Sequence, residues 1–391
     1  MGVPVPWTFA AAGTVSAQLA WLTDVLPAVT GPEQTRRLRL APRVTIAFDG
    51  LESARNRRWM ETLLNANGAG RWEVPLVMDT AQLAAPLAAA SSSVPFDTSD
   101  RRFTAGGKAL LIAEDPRRFE VVEIDTVEAD HLALVGATTF AWATGTRVVP
   151  LRTSHLDGMP TLSRFTGDDS PYQVSFLLDE LLEVEPDPGA ASYRSAPVLE
   201  WTPVWTSDPE TTPERQLLTV DEDTGPIVTT DLVGIPLGRT GMSFALVGRP
   251  AIAAFLGLLY ALCGRWAPIW VPSWAQDLRV VATVANGATT VDVEHSGLSA
   301  RPLAINRRDI RLQLADGTVL YRRITAAVEQ SADVERLTLD SAIATGFAAS
   351  AVAVVSFMAL CRQDTDVNKL IWWNYDTVQC DLSFRAVKHG L

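Results

Sequence analysis

The feature that most constrains this chain is that it matches itself. GAGRWEVPLVMDTAQL (residues 68–83) and LCGRWAPIWVPSWAQDL (residues 262–278) share Gly-Arg-Trp, then a proline within an apolar run, then a leucine following Gln or Asp. Gly70, Arg71 and Trp72 correspond to Gly264, Arg265 and Trp266, a displacement of 264 − 70 = 194. Three residues decide little alone, so the flanks carry the weight. An alternating strand stands upstream of each match, RVTIAF at 43–48 and MSFALV at 242–247. Between strand and match, apolar spacing predicts a helix. Over 52–66, Trp59, Met60, Leu63 and Leu64 share a face and Asn67-Gly68 supplies the stop. Over 250–263, Pro250 falls in the first turn, Ile252, Phe255, Leu256, Leu259 and Leu262 form the apolar face, and Gly264 ends the run.

Downstream the order of elements persists. Residues 109–124 and 310–324 each read strand, tight turn, strand, with Asp115-Pro116 and Asp316-Gly317 at the turns. Strands at 131–136 and 336–341 follow, then Ala-Thr-Gly at 143–145 and 344–346. Next come apolar strands ending in arginine, RVVPLR (147–152) and VVSFMALCR (354–362), and closing strands with Ser-Phe, QVSFLL (173–178) and DLSFRA (381–386). The displacement grows to 384 − 176 = 208 while the order is kept, as loops of unequal length would cause. The expected fold is therefore mainly β: two tandem related antiparallel sandwich or barrel domains, each with one amphipathic helix. The first would span 1–182, the second 198–391, joined by the acidic, proline-containing stretch 183–197.

Hydrophobic residues make up 47% and charged residues 20%, enough apolar material for packed cores over 391 residues. The net charge is −12, spread as −5 over residues 1–180 and −7 over 181–391, without a basic stripe; tight binding to nucleic-acid phosphate is disfavoured. The N-terminal stretch has neither the basic start nor the long apolar core of a signal peptide. Two apolar runs raise the question of a membrane: 251–263 is too short and reads as a buried helix, and 343–361 reads as a turn followed by a buried strand. No membrane insertion is expected. Cys263, Cys361 and Cys380 lie far apart in apolar context and read as buried thiols, not as metal ligands or a disulfide framework.

Catalytic signatures are thin. His131, His155, His295 and His389 are scattered, with no partner at metal-ligand spacing. Asp223-Thr224-Gly225 has the tripeptide of aspartic proteases, but sits in DEDTGP, has no second copy, and reads as an acidic turn. Asp168-Asp169 is an acidic pair in a loop. Phosphate-cradling and nucleophile-elbow motifs do not occur. We assign no catalytic, cofactor-binding or metal-ligating residue, no cofactor, and no enzymatic activity. Twelve tryptophans against five tyrosines are an excess, clustered at Trp201/Trp205, Trp266/Trp270/Trp274 and Trp372/Trp373. Such rings serve either as packing anchors or as an exposed carbohydrate platform.

The strand–helix–Gly-Arg-aromatic pattern, RVTIAF…RRWMETLLNANGAGRWEVPLV and MSFALV…AIAAFLGLLYALCGRWAPIWVPSWAQDL, resembles the N-terminal domain of tailed-phage distal tail proteins. The resemblance covers about 60–70 residues of each half. It implies a structural virion protein at the tail tip or baseplate of a siphophage or phage-derived particle, made in the host bacterial cytoplasm. Such a protein forms a ring that connects the tail tube to the hub and fibres. The two copies here depart from the simple hexamer: three chains would present six quasi-equivalent domains, although a homohexamer is the other arrangement. The partners implied are the chain itself and the tail-tube, tape-measure, hub and tail-fibre proteins. DNA would cross the channel without specific binding, and an acidic wall would suit its passage. The alternative is a carbohydrate- or receptor-binding module at the same tail tip, resting on the tryptophans. A cell-wall hydrolase would need Asp168 or Asp223 in a working carboxylate pair.

Overall fold

A computed structural model describes residues 3–205, 211–301 and 303–390. It is mainly β, with large antiparallel sheets and two helices, α1 (Ala54–Asn67) and α2 (Arg249–Leu262). A central sheet runs through both halves of the chain. Its order is Thr161–Leu162, Asp169–Leu178, Arg43–Ser53, Val15–Ala20, then Val367–Asn374, Thr377–Ala386, Arg239–Val247 and Thr211–Thr212, all antiparallel. Alternation explains the long members. In Arg43–Ser53, Val44, Ile46 and Phe48 are buried while the residues between them are more exposed, the period of a strand with one face on the core.

Each half carries the same second sheet in the same order. In the first half it is Ser93–Pro95, His131–Leu134, Phe119–Val127, Lys108–Ile112, Arg147–Leu156, Trp72–Pro75. In the second it is Thr290–Glu294, Val334–Leu339, Val319–Ser331, Asp309–Leu314, Val352–Gln363, Ile269–Pro272. Each encloses its own core, around Val94, Leu111, Ile124, Leu132 and Trp142 in one and Val293, Ile310, Leu337 and Val355 in the other. The long strands Arg147–Leu156 and Val352–Gln363 leave these sheets to join the central one at Ser154–Leu178 and Cys361–Ala386.

The largest core belongs to both halves at once. Trp7, Trp72, Phe48 and Phe176 lie in one cluster with Phe244, Phe255, Trp372 and Phe384. The segments expected as separate domains thus share a sheet and a core, and separate only in their smaller sheets. The stretch 183–197 is ordered by packing. Asp187 N–H donates to the Gly257 carbonyl, Ser192–Tyr193 pairs with Ala196–Pro197, and Ala196 is buried beside Trp270.

The helices differ in what they bury. α1 presents Arg57, Met60 and Leu64, one i, i+3, i+7 stripe, and keeps a polar outer face. α2 is apolar nearly all round and is buried on most faces, with Tyr260 Oη donating to the Leu182 carbonyl. Cys263, in the left-handed region at φ 50°, caps α2, with its N–H on the Leu259 carbonyl. Gly264 follows at φ 63°, where a Cβ would lie 2.6 Å from Asp366 Oδ1 and 3.0 Å from Trp21 Cβ. The run 343–361 is a turn, a short 3-10 turn and a strand, as read; no helix among the described residues is long and apolar enough to cross a membrane.

Candidate functional site: the junction between the two halves

The junction is a strand pair. Val15–Ala20 lies against Val367–Asn374 with Val15 opposite Trp372, Ala17 opposite Leu370 and Ala20 opposite Val367. Trp21 Nε1 donates to Asn368 Oδ1 at 3.2 Å, and Asn368 Nδ2 donates to Gln363 Oε1 at 2.7 Å, a chain of buried polar groups that crosses the junction. The Asp366 carboxylate accepts from the Thr23 N–H (2.7 Å) and the Arg265 N–H (2.9 Å), tying the first half to the turn after α2.

A hairpin reinforces the pair. Thr23–Pro27 and Glu33–Arg37 form a ribbon that leaves the first half and lies on the second. Arg37 stacks over Trp266, 4.0 Å from the ring centroid, and Thr35 Oγ1 donates to the Trp266 carbonyl at 3.4 Å. Glu33 meets Arg362 at 3.1 Å and Arg385 at 4.0 Å, and Lys388 Nζ donates to the Thr30 carbonyl at the tip at 2.9 Å.

The pairing registers recur between the halves. Ala17–Ile46 and Gln18–Thr45 have Thr211–Thr240 and Thr212–Arg239 as counterparts, each residue displaced by 211 − 17 = 194. Ile46–Phe176 corresponds to Thr240–Phe384, and Leu162–Tyr172 to Leu370–Cys380, the later strands displaced by 384 − 176 = 208. Thr161–Leu162 therefore stands where Val367–Asn374 stands in the second half. The arginine match drawn from the sequence is three residues out of register. Ser154–Leu178 corresponds to Cys361–Ala386, which sets His155, not Arg152, opposite Arg362.

This arrangement leaves two edges. Thr211–Thr212 pairs only with Arg239–Val247, and Thr161–Leu162 only with Asp169–Leu178, among the described residues. They are counterparts of the two strands that meet at the junction.

The residues considered for chemistry stay apart. His131 Nδ1 lies 2.7 Å from Asp130, His155 Nδ1 lies 2.8 Å from Asp179, and His295 lies 3.4 Å from Glu335. His389 packs edge-on against Trp270, and burial lowers its pKa. Asp223 turns the tip of the ribbon formed by Leu217–Val220 and Val228–Asp231, its N–H donating to Asp221 Oδ1. The Asp168 carbonyl accepts from the Ala54 N–H and Arg57 Nε, and the Asp169 carboxylate accepts from Thr166 Oγ1, so both serve the loop beside α1. All three cysteines are buried, and burial pushes the Cys361 and Cys380 thiols up to about 12. No cluster of three metal-ligating side chains occurs among the described residues. Of the clustered tryptophans, Trp270 and Trp372 are core residues, Trp201, Trp266 and Trp274 pack partly buried against the main core, and Trp205 and Trp373 are largely exposed.

The two hairpins and the strand at 367–374 are what sequence reading missed. A signal for the hairpins existed: Thr30-Gly31-Pro32 and Thr224-Gly225-Pro226 repeat at the same displacement, 224 − 30 = 194. No protein-family model matches the chain, and no curated protein matches it.

Proposed function

We infer that the chain is a tandem duplication that builds a ring, and that the ring is a structural part of a phage or phage-derived tail tip. There it would connect the tail tube to the hub and fibres, as a trimer with pseudo-six-fold symmetry. The observation that carries the reading is the head-to-tail junction. Strand Val15–Ala20 of the first half meets strand Val367–Asn374 of the second, and the counterparts of these strands, Thr211–Thr212 and Thr161–Leu162, lie at opposite ends of the sheet, each paired on one side only among the described residues. A contact between unlike surfaces, repeated from copy to copy, closes into a ring or runs on as a filament. Three chains would then alternate internal and external versions of one junction.

The charge of −12 supports a channel that passes DNA without holding it. The tape-measure, tube, hub and fibre proteins are the partners the reading requires. A carbohydrate-binding module has less support, because only Trp205 and Trp373 of the clustered rings are largely exposed. The test is biochemical. Tail particles purified from the encoding strain are digested for mass spectrometry and labelled with antibody against this chain for electron microscopy. Label at the tail tip is the expected result; particles lacking the chain would end the tail assignment.

A further inference from the structure

Among the described residues, every strand residue of the ribbon at 217–231 is exposed except Asp231, which is part-buried. The ribbon's strands pair in the register of the first hairpin displaced by 194: Val25–Thr35 becomes Thr219–Thr229, and Leu26–Gln34 becomes Val220–Val228. The chemistry differs between the two. The seated hairpin is largely polar, TDVLP and EQTRR, whereas the exposed one reads LLTV and VTTD with Ile227 just before. Leu217, Leu218, Val220, Ile227 and Val228 are between 45% and 60% exposed. A two-stranded ribbon is marginal alone in water, and clustered bare apolar residues mark a contact surface.

We propose that residues 217–231 clasp the first half of a neighbouring copy of this chain, in the position that residues 23–37 take on the second half. The proposal rests on the ring reading above and names its contact. Displacing the observed contacts locates the seat. Glu33 lies between Arg362 and Arg385; its counterpart Ile227 falls beside His155 (362 − 207) and Leu177 (385 − 208). Arg37 lies over Trp266, but this stack has no direct counterpart in the seat: Trp72 pairs with Ser154 as Ile269, not Trp266, pairs with Cys361, and Trp72 is fully buried. Hairpin and seat have changed together. The Glu33–Arg385 pair becomes Ile227 beside Leu177, with His155 in the place of Arg362. Met159, the counterpart of Val367, and Phe165 are 66% and 84% exposed in the same strand–loop region, which adds apolar area to the seat.

The free sheet edges cannot do this work alone. Thr161–Leu162 is two residues long, Thr211–Thr212 is two residues long among the described residues, and Pro160 and Pro213, which have no N–H to donate, flank them. Such short, proline-marked edges resist indiscriminate pairing, and the apolar clasp supplies the selectivity.

The test uses paired cysteines in the full chain and a short bis-maleimide, since the native thiols are buried. Ile227→Cys with His155→Cys is expected to give covalent dimers and trimers on a denaturing gel. The internal counterpart, Glu33→Cys with Arg362→Cys, should close within one chain and stay at monomer mass. Rings that form while the 227/155 pair gives no inter-chain product, with the internal pair closing, would overturn the clasp and leave the ring intact. A protein that neither assembles nor cross-links between chains would overturn both. Ile227→Asp with Val228→Asp is the second arm of the test. Both residues are exposed, so melting of the isolated chain should be unchanged while assembly weakens at least tenfold; unchanged assembly would overturn the clasp.

Discussion

Asp79 offers the sharpest test of whether the halves are one folding unit. Its carboxylate is fully buried and accepts from Arg102 Nε and from Arg249 Nη2, each at 2.6 Å. Asp79 and Arg102 belong to the first half, whereas Arg249 opens α2 in the second and also donates to the Met78 and Tyr375 carbonyls. Asp79→Ala leaves two largely buried guanidinium groups without their carboxylate, and breaking a buried ion pair in this way costs about 3–5 kcal/mol. At about 2.1 cal/mol/K per residue over 391 residues, the unfolding entropy is about 0.8 kcal/mol/K, so the melting temperature should fall by about 4–6 °C. Differential scanning calorimetry reads this, and a single transition that moves as a whole is expected. A shift below about 1 °C, or a transition that splits with one half unmoved, would refute the coupling. The pH dependence has a definite sign. Burial alone would raise the Asp79 pKa, but Arg102 and Arg249 outweigh it and hold the pKa below the usual 3.8. The carboxylate's contribution is therefore complete above pH 3.8 and is lost as pH falls through the lowered value.

Other expectations follow from single groups. Glu335 lies in a nest where Ser299 and Ser296 donate through both N–H and Oγ and Leu298 through its N–H; burial opposes ionisation, but these bonds hold its pKa down to about 2. Glu335→Gln should lose about 1–3 kcal/mol at neutral pH in urea titrations, and this difference should shrink as pH falls from 4.5 towards 2. Trp372→Ala should cost about 3–5 kcal/mol whereas Trp373→Ala, on the opposite face, should change stability by less than about 0.5 kcal/mol. Equal losses would contradict the strand's orientation. Cys361 and Cys380 should not react with a disulfide reagent at pH 8 until the chain is unfolded; rapid labelling of the native protein would contradict their burial.

The sequence made the elements legible where a repeating pattern met a simple period. Both helices form within two residues of their expected starts, Ala54–Asn67 and Arg249–Leu262, because the apolar stripe and the terminal Gly or Pro act locally. The same holds for the paired strands around Asp115-Pro116 and Asp316-Gly317. What stayed hidden depends on contacts far apart in the chain. Residues 367–374 include Lys369, Trp372, Trp373 and Asn374, an unremarkable run that is a strand because Val15–Ala20 and Thr377–Ala386 flank it on both sides. Its counterpart, lacking one neighbour, shrinks to Thr161–Leu162. The Asp223 turn reads as an acidic loop from its own residues, and its position at a hairpin tip emerges only from pairing across 217–231. A shared core was likewise beyond periodicity, since Phe176 and Phe384 alternate alike whether their domains touch or not.

The central claim is that copies of this chain join end to end as its own halves do. Light scattering on the purified protein, with negative-stain images of the same peak, tests it most directly. The account predicts a mass near three times 42.3 kDa and a ring with a central hole and six similar lobes. A stable monomer across all accessible concentrations, or a compact dimer without a hole, would contradict it.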